Sequence, residues 1–351
     1  GRRLSYFSGC DYFRLASHPD VLAALRAGLK QYGLNVAASR MTTGNHRLYA
    51  ELEARLAGFM GAESALLLPS GYLSNLAAAQ ALAGTFSHAL IDEKAHPSLS
   101  DAVGMLECPV LRFKHRDPED VGRAFRRCGP QAWVVLCTDG MFAHDGSVAP
   151  LRDYLRVLPK DALLLVDDAH GAGVLGRTGK GSLELTGVSR SRVLQTITLS
   201  KAFGVYGGAI LGPKSMRRLV IERSQLFIGS TPLPLPLVSA ALTSVRILRA
   251  DKTLRKRMAE NVVCLRKELG RRSWVLPETP GPILALRPGT AHATKALNRS
   301  LLRSGIYPPY IRYPGGPEGG YFRFVISSEH TRAQLDRLVQ ALARVVPRPG
   351  L

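Results

Sequence analysis

A lysine and a pair of aspartates close two apolar runs near the middle of this chain. Ala162–Val166 is a short, continuous apolar run that ends in Asp167, Asp168 and, two residues on, His170. Such a run has the pattern of a strand buried on both faces of a parallel sheet. Open α/β sheets bind their ligands just beyond the carboxyl ends of such strands. A second run, Val193–Leu199, ends in Ser200 and Lys201, with glycines following at Gly204, Gly207 and Gly208. Those glycines let backbone approach backbone or ligand closely. A lysine desolvated at a strand end becomes a nucleophile able to form a Schiff base. A carboxylate facing it can hold a pyridinium nitrogen protonated and keep an electron sink active. Alone, each residue reads as a surface lysine or an ion-paired acid. Both together, in this order and spacing, favour the chemistry.

The flanking segments alternate strand and helix patterns. Leu4–Leu15 reads as an extended arm. His18–Tyr32 has helical spacing at Val21, Leu22, Leu25 and Leu29, with Pro19 at its start, and Leu48–Met60 is again helical. Ala65–Pro69 reads as a strand that leads into SGYLSN and an Ala/Leu-rich helix. Gly71 and Tyr72 would open that helix, where free N–H groups and the helix dipole favour a phosphate. Strand Ala89–Asp92 leads to DEKAHPS, and strand Ala132–Cys137 to TDGMFAHDG. One long helix is expected from about Ala240 to Gly270. Strand Pro282–Leu286, helix Thr290–Ser304, strand Tyr321–Ser327 and helix Thr331–Val345 follow. Arg323 stands inside the apolar run GGYFRFVI. An arginine there has few structural explanations, and its planar fork suits a carboxylate. No internal repeat or low-complexity linker stands out.

At 351 residues with 46% hydrophobic composition, the chain buries a core and is not a disordered polymer. No uncharged apolar run reaches about 18 residues, so no membrane span is expected. The abrupt start GRRLSYFSG lacks an apolar signal core and suggests that residues precede Gly1. Five cysteines without paired spacing argue against a disulfide framework or a metal site, and point to the cytoplasm. The net charge of +20 comes from 36 arginines and 11 lysines against 27 acids. It reads either as base composition or as attraction for anionic partners such as CoA or an acidic carrier protein. The basic residues are dispersed, with no aromatic-interleaved stripe, so no nucleic acid is expected as a partner.

The stretches VDDAHGAGVLG and TLSKAFGVYGG resemble the pyridoxal 5′-phosphate (PLP) enzymes of fold type I, the aminotransferase superfamily, and within them the α-oxoamine synthases. The resemblance runs from SGCDYFRL to GGYFRFVISSEHT, nearly the whole chain. It implies an α/β fold: a large domain with a mostly parallel seven-stranded sheet and a smaller C-terminal α+β domain. The expected division is an N-terminal arm and helix over residues 1–33, a PLP-binding domain over 34–244 and a small domain over 245–351.

The resemblance also implies roles. Lys201 is the Schiff-base lysine and Thr198 lies in its motif. Asp167 faces the pyridine nitrogen and His170 the phenolic oxygen. Ser70, Gly71 and Tyr72 form the phosphate turn, and Asp139 lies near the ring. His96, in a segment similar to D-x-x-x-H-x-S, stacks on the ring. Ser230 and Thr231 reach the partner's phosphate across a homodimer interface, so the active sites are shared. Arg323 grips the amino-acid carboxylate, with Ser327 and Cys10 also at the substrate. Asp139 and Asp145 keep the family's T-[DE]-G…D-G pattern.

Several positions depart from the family pattern. Cys10 replaces an asparagine and Arg14 a glycine. Asn35–Gly44 has few of the usual glycines. Tyr49, four residues before Glu53, replaces a histidine, for which nearby His46 could partly substitute. Ala143 replaces a serine and His144 a methionine. The implied reaction joins an amino acid to an acyl thioester, acyl-CoA or acyl-carrier protein, with decarboxylation, giving an α-aminoketone. The departures suggest a non-standard substrate. The rival readings are an aminotransferase, decarboxylase or lyase of the same fold without a thioester substrate, or an idle subunit, against which the presence of Lys201 argues.

Overall fold

Apolar runs become strands here where both of their faces can be covered. The computed structural model describes residues 3–272, 274, 276–312 and 319–344. The chain divides into two units: Leu15–Phe142 with Val148–Asp251, and Gly1–Arg14 with Ala143–Ser147 and Lys252–Leu351. Helix Pro19–Tyr32, which the sequence groups with the arm, falls in the larger unit.

The larger unit holds β1 (Ser64–Leu68), β2 (His88–Asp92), β3 (Val110–Phe113), β4 (Val134–Asp139), β5 (Leu163–Asp167), β6 (Val193–Thr198) and β7 (Gly208–Gly212). They form one seven-stranded sheet in the order β1-β7-β6-β5-β4-β2-β3. Neighbours from β3 through β6 are parallel, while β7 runs antiparallel to both β6 and β1. Its helices are α1 (Pro19–Tyr32), α2 (Arg47–Met60), α3 (Gly71–Ala81), α4 (Pro97–Val103), α5 (Pro118–Cys128), α6 (Leu151–Val157), α7 (Ser182–Thr186), α8 (Lys214–Arg223), α9 (Gln225–Ile228) and α10 (Leu235–Ala250).

Successive residues of the central strands enter different apolar cores, as period-2 alternation requires. Val135, Cys137 and Leu165 pack in the core that includes Ala77, Ala78 and Leu99. Val134, Leu136, Leu164 and Val166 pack in the core that includes Val121, Leu151 and Tyr154. Every residue of β1, β4, β6 and β7 is buried. At the sheet edge, β3 leaves Val110 and Arg112 exposed.

The smaller unit pairs β8 (Ile283–Leu286), β9 (Tyr310–Ile311) and β10 (Tyr321–Val325) in the antiparallel order β8-β10-β9. Helices α11 (Thr253–Gly270), α12 (Ala291–Arg303) and α13 (Arg332–Ala343) complete it. Phe7 of the arm joins its core with Leu265, Leu301 and Phe324.

The expected long helix over 240–270 is instead two. Asp251 leaves α10 with φ −92° and ψ 94°, its N–H still on the Ile247 carbonyl at 2.8 Å. An acid is unfavourable at the negative end of a helix dipole and favourable just before the next helix begins. Two of the departures also acquire a physical meaning. Arg14 and Ala37 sit at φ +55° and +52°, the left-handed region where a glycine would be unstrained. Arg14 is held there by donating to the Tyr6 carbonyl at 3.1 Å.

Candidate active site

The ends of β4, β5 and β6 gather the ionisable residues. Asp139 and Asp167 are register partners at the last positions of adjacent parallel strands, both buried. Burial drives the Asp139 carboxyl well above its ordinary value and the Asp167 charge adds to that, while the His96 N–H and Lys201 oppose it. The His96 backbone N–H donates to Asp139 Oδ2 at 2.8 Å. Asp167 Oδ1 accepts the Ala169 N–H at 3.0 Å. His170 is buried in the turn that follows, closed by the N–H groups of Gly171 and Ala172 on the Asp168 carbonyl.

Helix α3 brings its first turn against the end of β6. Ser70 caps it, accepting the Leu73 N–H at 3.2 Å. A Cβ on Gly71 would lie 2.6 Å from Thr198 Cβ, and one on Gly208 would lie 2.4 Å from the Ser70 carbonyl oxygen. Only glycine lets the turn close on the strand ends so tightly. The N–H groups opening such a helix have no intrahelical acceptor, so the turn is a natural phosphate seat. Thr198 Oγ1 accepts the Ser200 N–H and donates to the Gly207 carbonyl, both at 3.2 Å, which fixes the loop that carries half-buried Lys201.

His96 caps α4, with Nδ1 accepting the Ser98 N–H at 3.2 Å and lying 2.7 Å from Ser98 Oγ. Its ring meets Tyr72 edge-on at 6.4 Å. Burial pushes the imidazole below its ordinary value and Lys201 adds to this, while Asp167 and Asp101 pull it back. Asp139, Asp167, His96 and Lys201 are thus within electrostatic reach of one another.

Sequence reasoning missed Asn75, although SGYLSN contains it. It is fully buried, and its amide donates to Asp167 Oδ2 at 2.6 Å. Its place one turn beyond Gly71, on the same helix face, was the available signal. Asp168, by contrast, is turned away from this group. Its Oδ2 accepts the Ser182 N–H at 2.8 Å and the Gln195 amide at 2.7 Å.

Ser230 donates to the Leu226 carbonyl at 2.6 Å, and Thr231 is exposed. Their segment is tied to Gln80, at the far end of α3 from Gly71, through Ser224 and Leu226. Tyr49 is fully buried and donates to the Leu233 carbonyl at 2.9 Å. Burial pushes its hydroxyl up to about 12, against the pull of Arg40. His46 caps α2 by accepting the Leu48 N–H at 3.2 Å, a structural use.

The smaller unit holds the expected substrate residues. Arg323 lies on β10, its NH1 donating to the Ala143 carbonyl at 3.2 Å, while its buried Nε has no hydrogen-bond partner among the described residues. Tyr12 is fully buried, and burial drives its hydroxyl well above the ordinary value; Cys10, hydrogen-bonded to it, adds to that and Arg323 opposes it. Cys10 and Arg323 are thereby brought to the same tyrosine. Ser327 is buried, its Oγ accepting the Glu329 N–H at 3.2 Å and its N–H donating to His330 Nδ1 at 2.9 Å. Burial opposes ionisation of Asp145, yet bonds from His144 and Ser147 hold its carboxyl well below the usual range.

The donor set fits PLP. A helix N-terminus suits the phosphate, a buried carboxylate suits a protonated ring nitrogen and an amine suits the aldehyde. Fold and site together define a PLP-dependent transferase of fold type I. A family model described as aminotransferase class I and II matches residues 8–342. The 8-amino-7-oxononanoate synthase of Thioalkalivibrio sulfidiphilus is 37% identical over 98% of this chain and 88% of its own length. That of Xylella fastidiosa is also 37% identical, over 98% and 86%. The serine palmitoyltransferase of Sphingomonas wittichii superposes with a TM-score of 0.92 at 27% identity, covering 99% of this chain and 90% of that one. The chain belongs to the aminotransferase class I and II family, in its α-oxoamine synthase branch of PLP-dependent acyltransferases.

Proposed function

We propose that the protein condenses an amino acid with an acyl thioester, carried by CoA or an acyl-carrier protein, and releases an α-aminoketone, the free thiol and CO2. The observation that carries this reading is the in-register acid pair Asp139–Asp167 with Lys201 and His96 in electrostatic reach. PLP, when bound, supplies the aldehyde that Lys201 engages and an electron sink for charge developing at the amino acid's Cα. Lys201 then moves the Cα proton, its loop held in place by Thr198. Asp167 holds the proton at the ring nitrogen, oriented by Asn75 and the Ala169 N–H. His170 bonds the phenolic oxygen, His96 covers the ring, and buried Asp139 lies beside it. Ser70, Gly71, Tyr72 and Thr198 seat the phosphate.

Ser230 and Thr231 serve the phosphate of a second copy of the chain. In their own chain the anchoring contacts lead to the opposite end of α3, which supports a homodimer with shared sites. Arg323 binds the amino-acid carboxylate through its Nε, which has no hydrogen-bond partner among the described residues, with Cys10 and Ser327 as further substrate contacts. Residues 34–244 bind the cofactor and 245–351 the substrate carboxylate, with 1–33 as the arm and first helix. Among the described residues no helix is long and apolar enough to cross a membrane, and the cytoplasm is the proposed compartment.

Mass spectrometry of products from an amino-acid panel, each paired with acyl-CoA and acyl-carrier protein, tests the proposal. The relatives' product, 8-amino-7-oxononanoate, is the first mass to seek. Thiol release together with an aminoketone is expected, and neither should occur in Lys201→Ala. An amino acid decarboxylated or transaminated with no thiol released from any donor would overturn it in favour of a PLP enzyme without a thioester substrate.

A further inference from the structure

Asn75 is the group on which two sides of the site converge. Its amide nitrogen donates to Asp167 Oδ2 at 2.6 Å and to Ser98 Oγ at 2.9 Å, and its amide oxygen accepts the Thr196 hydroxyl at 2.5 Å. These partners fix the amide's orientation, because an ionised carboxylate can only accept and so must face the nitrogen. Ser98 Oγ, accepting from Asn75, keeps its own proton for His96 Nδ1 at 2.7 Å. The Ser98 N–H faces the same nitrogen at 3.2 Å. With two donors on Nδ1, a neutral His96 carries its proton on Nε2.

We propose that Asn75 and Ser98 are positioning residues that join Asp167 to His96 in a single hydrogen-bonded relay and thereby hold His96 as the neutral Nε2–H tautomer. The direction of every bond in the relay follows from its two ends. Asp167 must accept, so Asn75 donates; the Ser98 N–H on Nδ1 makes that nitrogen an acceptor, so Ser98 Oγ donates to it. Asn75, Ser98 and Thr196 are all buried, which strengthens these bonds by keeping bulk solvent away from them. The titratable groups around His96 are Asp139 on β4, Asp167 on β5, Lys201 after β6, Tyr72 on α3 and Asp101 on α4. They include both signs of charge, so electrostatics alone does not choose the tautomer; the relay hydroxyl and the Ser98 N–H, both on Nδ1, do so together. The functional value of the relay rests on reading Asp167 and His96 as cofactor contacts. The relay itself is a property of the chain.

The experiment therefore begins with protein stripped of cofactor. Long-range 1H–15N correlation spectra of histidine-labelled protein report the tautomer, with the His96 signals identified by their loss in His96→Gln. The wild type is expected to show Nε2–H alone. Ser98→Ala and Asn75→Ala are expected to show a mixture with Nδ1–H, and Ser98→Thr, which keeps the hydroxyl, to restore the single form. Reloaded with PLP, Asn75→Ala should bind it roughly tenfold more weakly, the loss expected for one hydrogen bond to a charged group. A pure Nε2–H spectrum in Ser98→Ala would overturn the relay, and that variant decides even if Asn75→Ala does not fold. Failure of the wild type to bind PLP would break the reaction reading and leave these spectra unchanged.

Discussion

Asp167 and Asp168 are consecutive and both buried, 7% and 0% exposed, yet they occupy pockets of opposite character. Around Asp167 lie an amide donor, a second acid in register, a histidine and a lysine. Around Asp168 there is no room for anything further. A Cβ on Gly140, Gly171 or Gly181 would lie 2.4, 2.0 or 1.9 Å from its oxygens. Three segments dispense with side chains in order to pack on that carboxyl. Its Oδ1 and Ser182 Oγ are buried with no hydrogen-bond partner among the described residues. Burial is therefore shared by the two acids and does not distinguish them. What separates them is that Asp167 stands with an acid, a histidine and a lysine at adjacent strand ends, whereas Asp168 is enclosed by glycines and by Gln195, itself bonded to Arg190.

The largest expected effect tests that distinction directly. Asp167→Asn keeps an oxygen for the Asn75 amide but cannot balance a charged ring nitrogen. Turnover measured by thiol release should fall by about a hundredfold or more, with little change in melting temperature. Asp168→Asn should leave turnover within about twofold, because its partners Ser182 and Gln195 lie outside the ionisable cluster. Near-normal turnover in Asp167→Asn, or its collapse in Asp168→Asn, would erase the contrast.

The contrast was partly legible in the sequence. Apolar runs ending in ionisable residues exposed the strand ends and with them Asp167, His170 and Lys201. The alternation of side chains along a strand also requires Asp167 and Asp168 to face opposite ways. Other features were hidden because they depend on partners distant in the chain. Asn75 lies 92 residues from Asp167, and no local pattern joins them. The upward push on the Asp139 carboxyl comes first from its burial and then from its register partner on the next strand, neither of which is local in the chain. Strand β3 was missed because an edge strand carries Val110 and Arg112 on its exposed side and lacks a continuous apolar run. The break at Asp251 was missed because apolar periodicity continues across it.

A smaller effect should come from the glycines of the Asp168 pocket. Gly181 stands at φ +87°, and its Cβ would overlap Asp168 Oδ2. At φ +87° and ψ −158°, backbone essentially reserved for glycine, strain of about 1–3 kcal/mol adds to overpacking of about 1–3 kcal/mol, so Gly181→Ala should destabilise by about 3 kcal/mol or more in denaturant unfolding. PLP binding in the protein that remains folded should be nearly unchanged. Gly71→Ala is the converse: its Cβ meets Thr198 at the phosphate turn, so PLP affinity should suffer more than stability. If both variants lost stability and affinity in parallel, the two pockets would be one cooperative structure rather than two with separate duties.

The smallest and most specific effect is a pH slope. Burial raises the Asp168 carboxyl from the usual 3.8 to about 6, outweighing the opposing bonds from Ser182 and Gln195. Below pH 3.8 the group is protonated both folded and unfolded, and its contribution to stability is fully present. As pH rises from 3.8 to about 6 the unfolded chain releases the proton while the folded chain retains it, so stability is lost across that window. The loss has a ceiling of about 3 kcal/mol, at 1.36 kcal/mol for each pH unit. Asp168→Asn removes the titration. Its amide oxygen can take over the bonds from Ser182 and Gln195, leaving the NH2 at the position of Oδ1. There it faces the Ser182 hydroxyl, which acts on the same carboxyl. An orphaned acceptor would then gain a donor. The variant should accordingly match or exceed the wild type in stability at pH 7, fall behind it near pH 4, and show a flatter stability curve between. Urea unfolding at four or five pH values across this range measures the difference. Parallel curves for the two proteins would mean that Asp168 is ionised throughout, and that the glycine-walled pocket holds a charge rather than a proton.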